Sequence, residues 1–342
     1  MAGARFLLAP ELLVGIRGDG GAVGQLTREY GPCAVGEGDP PGGAADAVPA
    51  VDVVFGRLAA PSAGGAVVEG GHKTVRWRIA LGSPAETTLR VAIELGGAPG
   101  SFARSLVQGY FVEPVISIAA ARRGLALVPG AAIAGDDGLI LVLGRSRAGK
   151  STLAARAMAA GRHVVGDDQV FIDRDGRCRP LPRRLRLYPD IAETTPAAFA
   201  RLAPATRRAL GFRGLVSAVS RGFIRPSLAV DRAELGGSWR AEPLAIRRIV
   251  LVERAGASGT LLVEPGDGSM AVGWAADLLA EQRGRLGRAG GAWPTALEEI
   301  GEQERAILDV AFVGLPVERV AVPPTWSAPA AVPALARHLG LE

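Results

Sequence analysis

The chain has 342 residues, 48% of them hydrophobic, which is enough for a substantial core and for two domains or one domain with an appendage. Two cysteines and three histidines exclude a disulfide framework, a histidine-rich zinc site and most histidine-dependent hydrolase schemes, so any catalysis must rest on carboxylates, Lys and Arg. The formal charge of +5 comes from arginines spread along the chain, and only 5% of residues are aromatic. A basic tail or a stacking platform for nucleic acid is therefore not expected.

In chain order, residues 1–110 read as a mainly β accessory domain and 111–342 as a nucleotide-binding α/β domain. The apolar stretch 6–16 is broken by Pro10 and Glu11, so neither a signal peptide nor a membrane span is expected, and a reducing cytoplasm suits the separated Cys33 and Cys178. Residues 36–45 are rich in Gly and Pro and read as a mobile loop. Two partly alternating runs, 74–81 and 87–95, flank the turn-forming stretch 82–86 and predict a hairpin with one buried face. Residues 101–123 are helical in pattern, with Phe102, Leu106, Tyr110, Val115 and Ile118 as core positions and Pro114 as a kink or junction. A strand over 125–134 then feeds the turn 135–138 into the central sheet.

The apolar run 139–143 suits a strand buried on both faces. It opens into Gly144-Arg145-Ser146-Arg147-Ala148-Gly149-Lys150-Ser151, which matches the phosphate loop G-x-x-x-x-G-K-[ST], and then into helix formers from Thr152 to Ala160, ending at Gly161. Phosphates are held by backbone N–H groups at the positive end of a helix, and small residues let the backbone approach. In that chemistry Gly144 and Gly149 permit the approach, Lys150 reaches the terminal phosphates as a compact charge, and Ser151 ligates magnesium, with Thr152 beside it as a second hydroxyl. Only two lysines, Lys73 and Lys150, stand among 39 Lys and Arg residues, so a lysine at this position is not a matter of composition. The competing reading is a glycine loop that merely joins a strand to a helix.

Two short β-like runs follow within 163–173, joined at Asp167-Asp168. Adjacent carboxylates after a strand beside a phosphate loop can hold magnesium or accept a proton from an attacking hydroxyl, although Asp-Asp also makes a polar turn readily. The arginine-rich segment 177–189 could meet a nucleotide phosphate, an acidic substrate or only solvent. Further on, helices are predicted over 196–210, 269–281, 295–312 and 330–339, and strands over 225–230, 246–252 and 317–322. No fixed-period repeat and no transporter signature is present.

The loop Gly144 to Ser151, the helix after it and the paired Asp167 and Asp168 resemble the core of the HPr kinase/phosphorylase family, with weaker likeness over 243–254 and 315–323. The resemblance covers roughly 120–342. It implies a P-loop kinase core with the fold shared by phosphoenolpyruvate carboxykinases, standing beside the N-terminal mainly β unit read from the residues. The implied activity is transfer of the terminal phosphate of Mg-ATP to a serine or other hydroxyl of a peptide, protein or small molecule. Carried over residue by residue, Gly144 to Thr152 bind the phosphates with Lys150, Ser151 binds Mg2+ with help from Asp167, and Asp168 is the base. Glu193 lies about where the family keeps a second metal-binding Glu. Family members place a catalytic histidine before the loop, and Pro129 stands at that position here, which removes the titratable group needed for the reverse, phosphate-consuming reaction. The alternative function is a nucleotide-binding regulatory or assembly ATPase without a phosphoacceptor. No nucleic-acid or membrane partner is implied, and homo-oligomerisation is left open.

Overall fold

The apolar stretch at the N-terminus forms β1 (Ala2–Ala9) and β2 (Leu12–Gly18), an antiparallel pair that turns at Pro10 and Glu11, the latter with φ of 60°. The computed structural model describes residues 2–36, 48–58, 63–221, 223–238, 242–256 and 259–341. The Gly- and Pro-rich loop predicted over 36–45 lies, apart from Gly36, outside the described residues.

Helix α1 (Gly20–Tyr30) follows, started by the Asp19 carboxylate accepting from the Ala22 N–H. Then come β3 (Val51–Phe55), β4 (Ala66–His72), β5 (Val75–Leu81) and β6 (Leu89–Gly96), in a six-stranded sheet ordered β1-β2-β3-β6-β5-β4. The predicted hairpin is β5 and β6, antiparallel, with Val75, Trp77, Ile79, Leu89, Val91 and Ile93 on buried positions. Alternation along both strands makes one face of the pair apolar.

Helix α2 (Gly100–Val107), a π turn over Gln108–Val112 and α3 (Glu113–Ala121) replace the single kinked helix predicted there. Ala103, Val107 and Phe111 are buried, whereas Phe102, Leu106 and Tyr110 are half-buried. The inward face is thus one residue out of step with the expected one up to the π turn. Beyond the π turn every residue of α3 is buried, Val115 and Ile118 among them.

Strand β7 (Leu125–Val128) ends at Pro129, and β8 (Gly130–Ala134) begins after it, so the single predicted strand is two. Proline has no N–H to give a ladder, which accounts for the break. The second unit continues with β9 (Leu139–Gly144), α4 (Lys150–Ala159), β10 (Val164–Gly166), β11 (Val170–Asp173), β12 (Arg177–Pro180), β13 (Leu185–Leu187), α5 (Ile191–Thr194), α6 (Pro196–Arg201) and α7 (Pro204–Val219). The helix expected over 196–210 is broken before Pro204 and then runs on to Val219. After it lie β14 (Leu228–Val230), β15 (Leu244–Arg254), β16 (Leu262–Gly266), α8 (Gly268–Arg283), α9 (Trp293–Ala311), β17 (Val317–Val322) and α10 (Ala328–His338).

By packing, the chain divides into one unit of Met1–Leu127 with Ala276–Leu308 and another of Val128–Ala275 with Asp309–Glu342. This division differs from the one expected at residue 110: α3, buried along its whole length, falls in the first unit together with half of α8 and most of α9. In the second unit β9, β15 and β17 run parallel, and β8 pairs with β9 in the predicted antiparallel hairpin. Leu153, Ala154, Ala157 and Met158 of α4 share a buried core with Val142 of β9, Val250 of β15 and Val332 of α10. The architecture is mixed α/β, as the pattern of elements predicts. Among the described residues no helix is long and apolar enough to cross a membrane.

Candidate functional site

The loop between β9 and α4 is held from below by its own small residues. A Cβ on Gly144 would lie 2.8 Å from the Val252 carbonyl oxygen and 2.9 Å from the Ala148 Cβ, so the turn out of the strand needs glycine. Gly149 caps α4 at φ of 96°, in the left-handed region, and has no side chain to accept from the first turn of the helix. No side chain caps the helix at this end, where the positive end of the dipole favours an anion. Arg147 also takes a left-handed φ of 70°, a strained conformation for a residue with a Cβ, and its side chain is exposed together with those of Arg145 and Ser146.

Lys150 is only 8% exposed. Its ammonium donates to the Gly144 carbonyl at 2.6 Å and to the Arg145 carbonyl at 3.2 Å, so the loop's backbone satisfies the buried charge. One residue on, the Ser151 hydroxyl donates to the Asp167 carbonyl at 3.4 Å. This contact brings the phosphate loop and the aspartate pair together across 16 residues of sequence.

Asp167 and Asp168 sit between β10 and β11, and their environments differ. Asp167 is 2% exposed, and its Oδ1 meets the Arg232 guanidinium at 3.4 Å, while Oδ2 is buried without a hydrogen-bond partner among the described residues. Burial pushes the Asp167 carboxyl up to about 6; Arg232 opposes that rise, Asp168 adds to it and Arg183 opposes it. Arg232 is itself lowered by burial, against the pull of Asp167 and Asp231, and it donates to the Val164 and Val165 carbonyls at 3.1 Å each. Asp168 is nearly half exposed, and its Oδ2 accepts from Arg183 at 2.8 Å. Its carbonyl accepts from the Gly130 N–H at 2.9 Å, which brings the backbone next to Pro129 against the aspartate pair.

The chain thus gathers Gly144, Gly149, Lys150, Ser151, Asp167 and Asp168 around one loop. Glu193 is exposed on the single-turn helix α5, and no group of three or more His, Cys, Asp or Glu converges as a metal cluster among the described residues. Magnesium needs no such cluster, because it binds through one or two protein oxygens and completes its shell with phosphate and water. The Ser151 hydroxyl and the unpartnered Asp167 Oδ2 fit that requirement. Thr152 is half-buried on the first turn of α4.

Sequence reasoning missed the two arginines that hold the pair. Arg183 lies within the arginine-rich segment, where nothing marks it out from its neighbours. Arg232 sits on a short 3-10 turn, Arg232–Leu235, 65 residues beyond Asp167, and no local signal announces it. No family model and no curated protein matches this chain.

Proposed function

We propose that this protein is a magnesium-dependent phosphotransferase that passes the terminal phosphate of ATP to a serine or other hydroxyl of a peptide, protein or small molecule. The observation that carries this reading is the meeting of Ser151 with Asp167, whose buried Oδ2 lacks a partner. A buried carboxylate oxygen without a donor is costly unless a cation completes it.

In this reading the N–H groups at the start of α4 bind the phosphates. Lys150 exchanges its backbone acceptors for phosphate oxygens and neutralises charge on the transferring group. Ser151 and Asp167 would hold Mg2+, which when bound would supply Lewis-acid neutralisation of phosphate charge. Asp168, at the more open edge of the pair, takes the proton from the acceptor hydroxyl as its oxygen bonds to phosphorus and the bond to ADP breaks. Arg183 orients that carboxylate. The fold of HPr-kinase-like proteins is the natural frame for these roles, with Pro129 in place of the histidine of the reverse reaction.

A regulatory ATPase is the second reading, and the Asp168–Arg183 pair favours it, since a carboxylate already engaged by a guanidinium is less free to act as a base. Incubation with γ-labelled Mg-ATP and a library of serine-containing peptides separates the two. Label recovered on a peptide in step with ADP supports transfer, and label recovered only as free phosphate overturns it.

A further inference from the structure

Helix α7 is built inside out. Of its 16 residues only Leu210 is buried. Its outward face, spaced as i, i+3, i+4, i+7, i+10 and i+11, consists of Arg208, Gly211, Phe212, Leu215, Ala218 and Val219, all exposed. Phe212 is 66% exposed, Leu215 61% and Val219 77%, and Phe223 just beyond the helix is 73% exposed. The inward side includes Arg213, which donates to the Ala209 and Ser227 carbonyls. Single exposed apolar residues are ordinary, but a contiguous stripe at helical spacing marks an interaction surface.

The segment that carries the stripe is basic, and the carboxylates beside it are engaged: Glu234 accepts from the Ala203 N–H and the Thr206 hydroxyl at the start of α7, and Asp190 feels the charge of Arg225. Residues 196–230 contain six arginines and no aspartate or glutamate. Arg208 flanks the stripe at one end and Arg221 and Arg225 at the other, all exposed. A second copy of the same face would set arginine against arginine, so the complementary occupant is acidic.

The position of the helix narrows the choice further. Gly214 of α7 lies against Pro189, α7 packs on β14, β14 pairs with β13, and β13 packs on α4, the helix that begins at Lys150. The segment from β13 to β14 leaves the site just after Arg183, which holds Asp168, and returns just before Arg232, which holds Asp167. A chain lying on α7 is therefore fastened to the segment whose two ends adjoin Arg183 and Arg232, the arginines that hold the aspartates, whereas a lipid surface would bring no acceptor to them.

We propose that the outer face of α7 docks the acceptor polypeptide, through an acidic segment whose apolar side chains cover Phe212, Leu215 and Val219. This rests on the phosphotransferase reading, and it specifies the substrate as a polypeptide with an acidic, amphipathic recognition segment.

The test uses the full chain and two labelled synthetic peptides, both with Leu at i, i+3, i+4 and i+7, one with Glu and the other with Lys elsewhere. Fluorescence anisotropy should show the Glu peptide binding, with affinity falling as salt rises, and the Lys peptide not binding. Replacing Phe212, Leu215 and Val219 together by Ser should weaken the Glu peptide by about tenfold or more. Equal binding of the two peptides, no binding of the Glu peptide, or unchanged binding by the triple variant would each overturn the proposal. So would capture by phosphatidylserine vesicles that needs the same three residues and occurs without peptide binding, or a dimer that the triple variant loses. A melting shift with Mg-ATP on the same samples keeps the two readings apart. Its absence in the unmutated protein counts against the nucleotide site, while the anisotropy isotherms decide the docking face.

Discussion

The Arg232 guanidinium donates to the backbone carbonyl of Arg183 at 3.3 Å, across 49 residues of sequence. Each of these arginines also holds one member of the aspartate pair, Arg232 through Asp167 and Arg183 through Asp168. The contact closes the base of the excursion that carries β13, α7 and β14, so the geometry of the pair depends on where that excursion begins and ends. A change there is felt at the aspartates without touching the phosphate loop.

Arg232→Met tests that dependence. Removing one partner from a buried ion pair costs about 3–5 kcal/mol, because the other charge is left without compensation. Denaturant melts should show a loss of that order, and Asp167→Asn on the Arg232→Met background should recover a good part of it. Strictly additive losses in the double-mutant cycle would mean that Arg232 stabilises the fold through its backbone acceptors and not through Asp167.

Lys150→Ala addresses the loop. The ammonium is buried and satisfied by two backbone carbonyls, so its removal leaves those acceptors unpaired at a cost of about 1–3 kcal/mol in the absence of nucleotide. The larger effect is on ligand: the melting shift produced by Mg-ATP should vanish. An unmutated-size shift in the variant would refute the phosphate-loop assignment.

How much of this was legible beforehand follows from the range of each signal. The phosphate loop, the β5–β6 hairpin and the β8–β9 hairpin are written in contiguous residues, and their strand, turn and helix signals agree. Asp167 and Asp168 could be singled out because they lie one helix and one strand beyond the loop. Arg232 could not, since its contact with Asp167 is made by tertiary folding alone. The one-residue shift in the face of α2 follows from how the helix packs on α1, β5 and β6, which periodicity does not encode. The return of residues 276–308 to the first unit, where Arg283 pairs with a buried Glu304 that also accepts from Ser117, is likewise a long-range event. The outer face of α7 was missed for a different reason: an apolar stripe on a helix ordinarily points inward, and here it does not.

The buried carboxyl gives the ligand-free protein a pH dependence of defined sign. Asp167 titrates near 6 in the folded chain and at its ordinary 3.8 when unfolded, so the folded state holds the proton more tightly. Its relative contribution is fully favourable below about 4 and is lost as pH rises through about 6, by an amount on the order of 3 kcal/mol. The stability difference between the unmutated protein and Asp167→Asn should therefore change over that window and flatten above it. Loss of the Arg232 partner in the variant does not titrate there, so the slope reports the carboxyl itself. A difference that is flat from pH 4 to 7 would show that Asp167 keeps an ordinary carboxylate pKa.

Asp168→Asn separates transfer from nucleotide binding. The substitution keeps the shape of the side chain and one acceptor toward Arg183, but removes the negative charge and the basicity. General-base catalysis contributes about a hundred- to ten-thousand-fold in rate, so phosphoryl transfer should fall within that range. Mg-ATP affinity should stay within a few-fold, because the residue at the metal is Asp167 and the phosphates are held by the loop. Asp167→Asn should do the reverse first, raising the magnesium concentration needed for binding, since it replaces a carboxylate oxygen that is buried beside the loop without a hydrogen-bond partner among the described residues. Binding isotherms at several magnesium concentrations, read beside single-turnover rates of transfer to an acceptor peptide with a free hydroxyl, distinguish the two variants. Full transfer by Asp168→Asn would remove the base from the mechanism and leave Asp168 as a structural partner of Arg183.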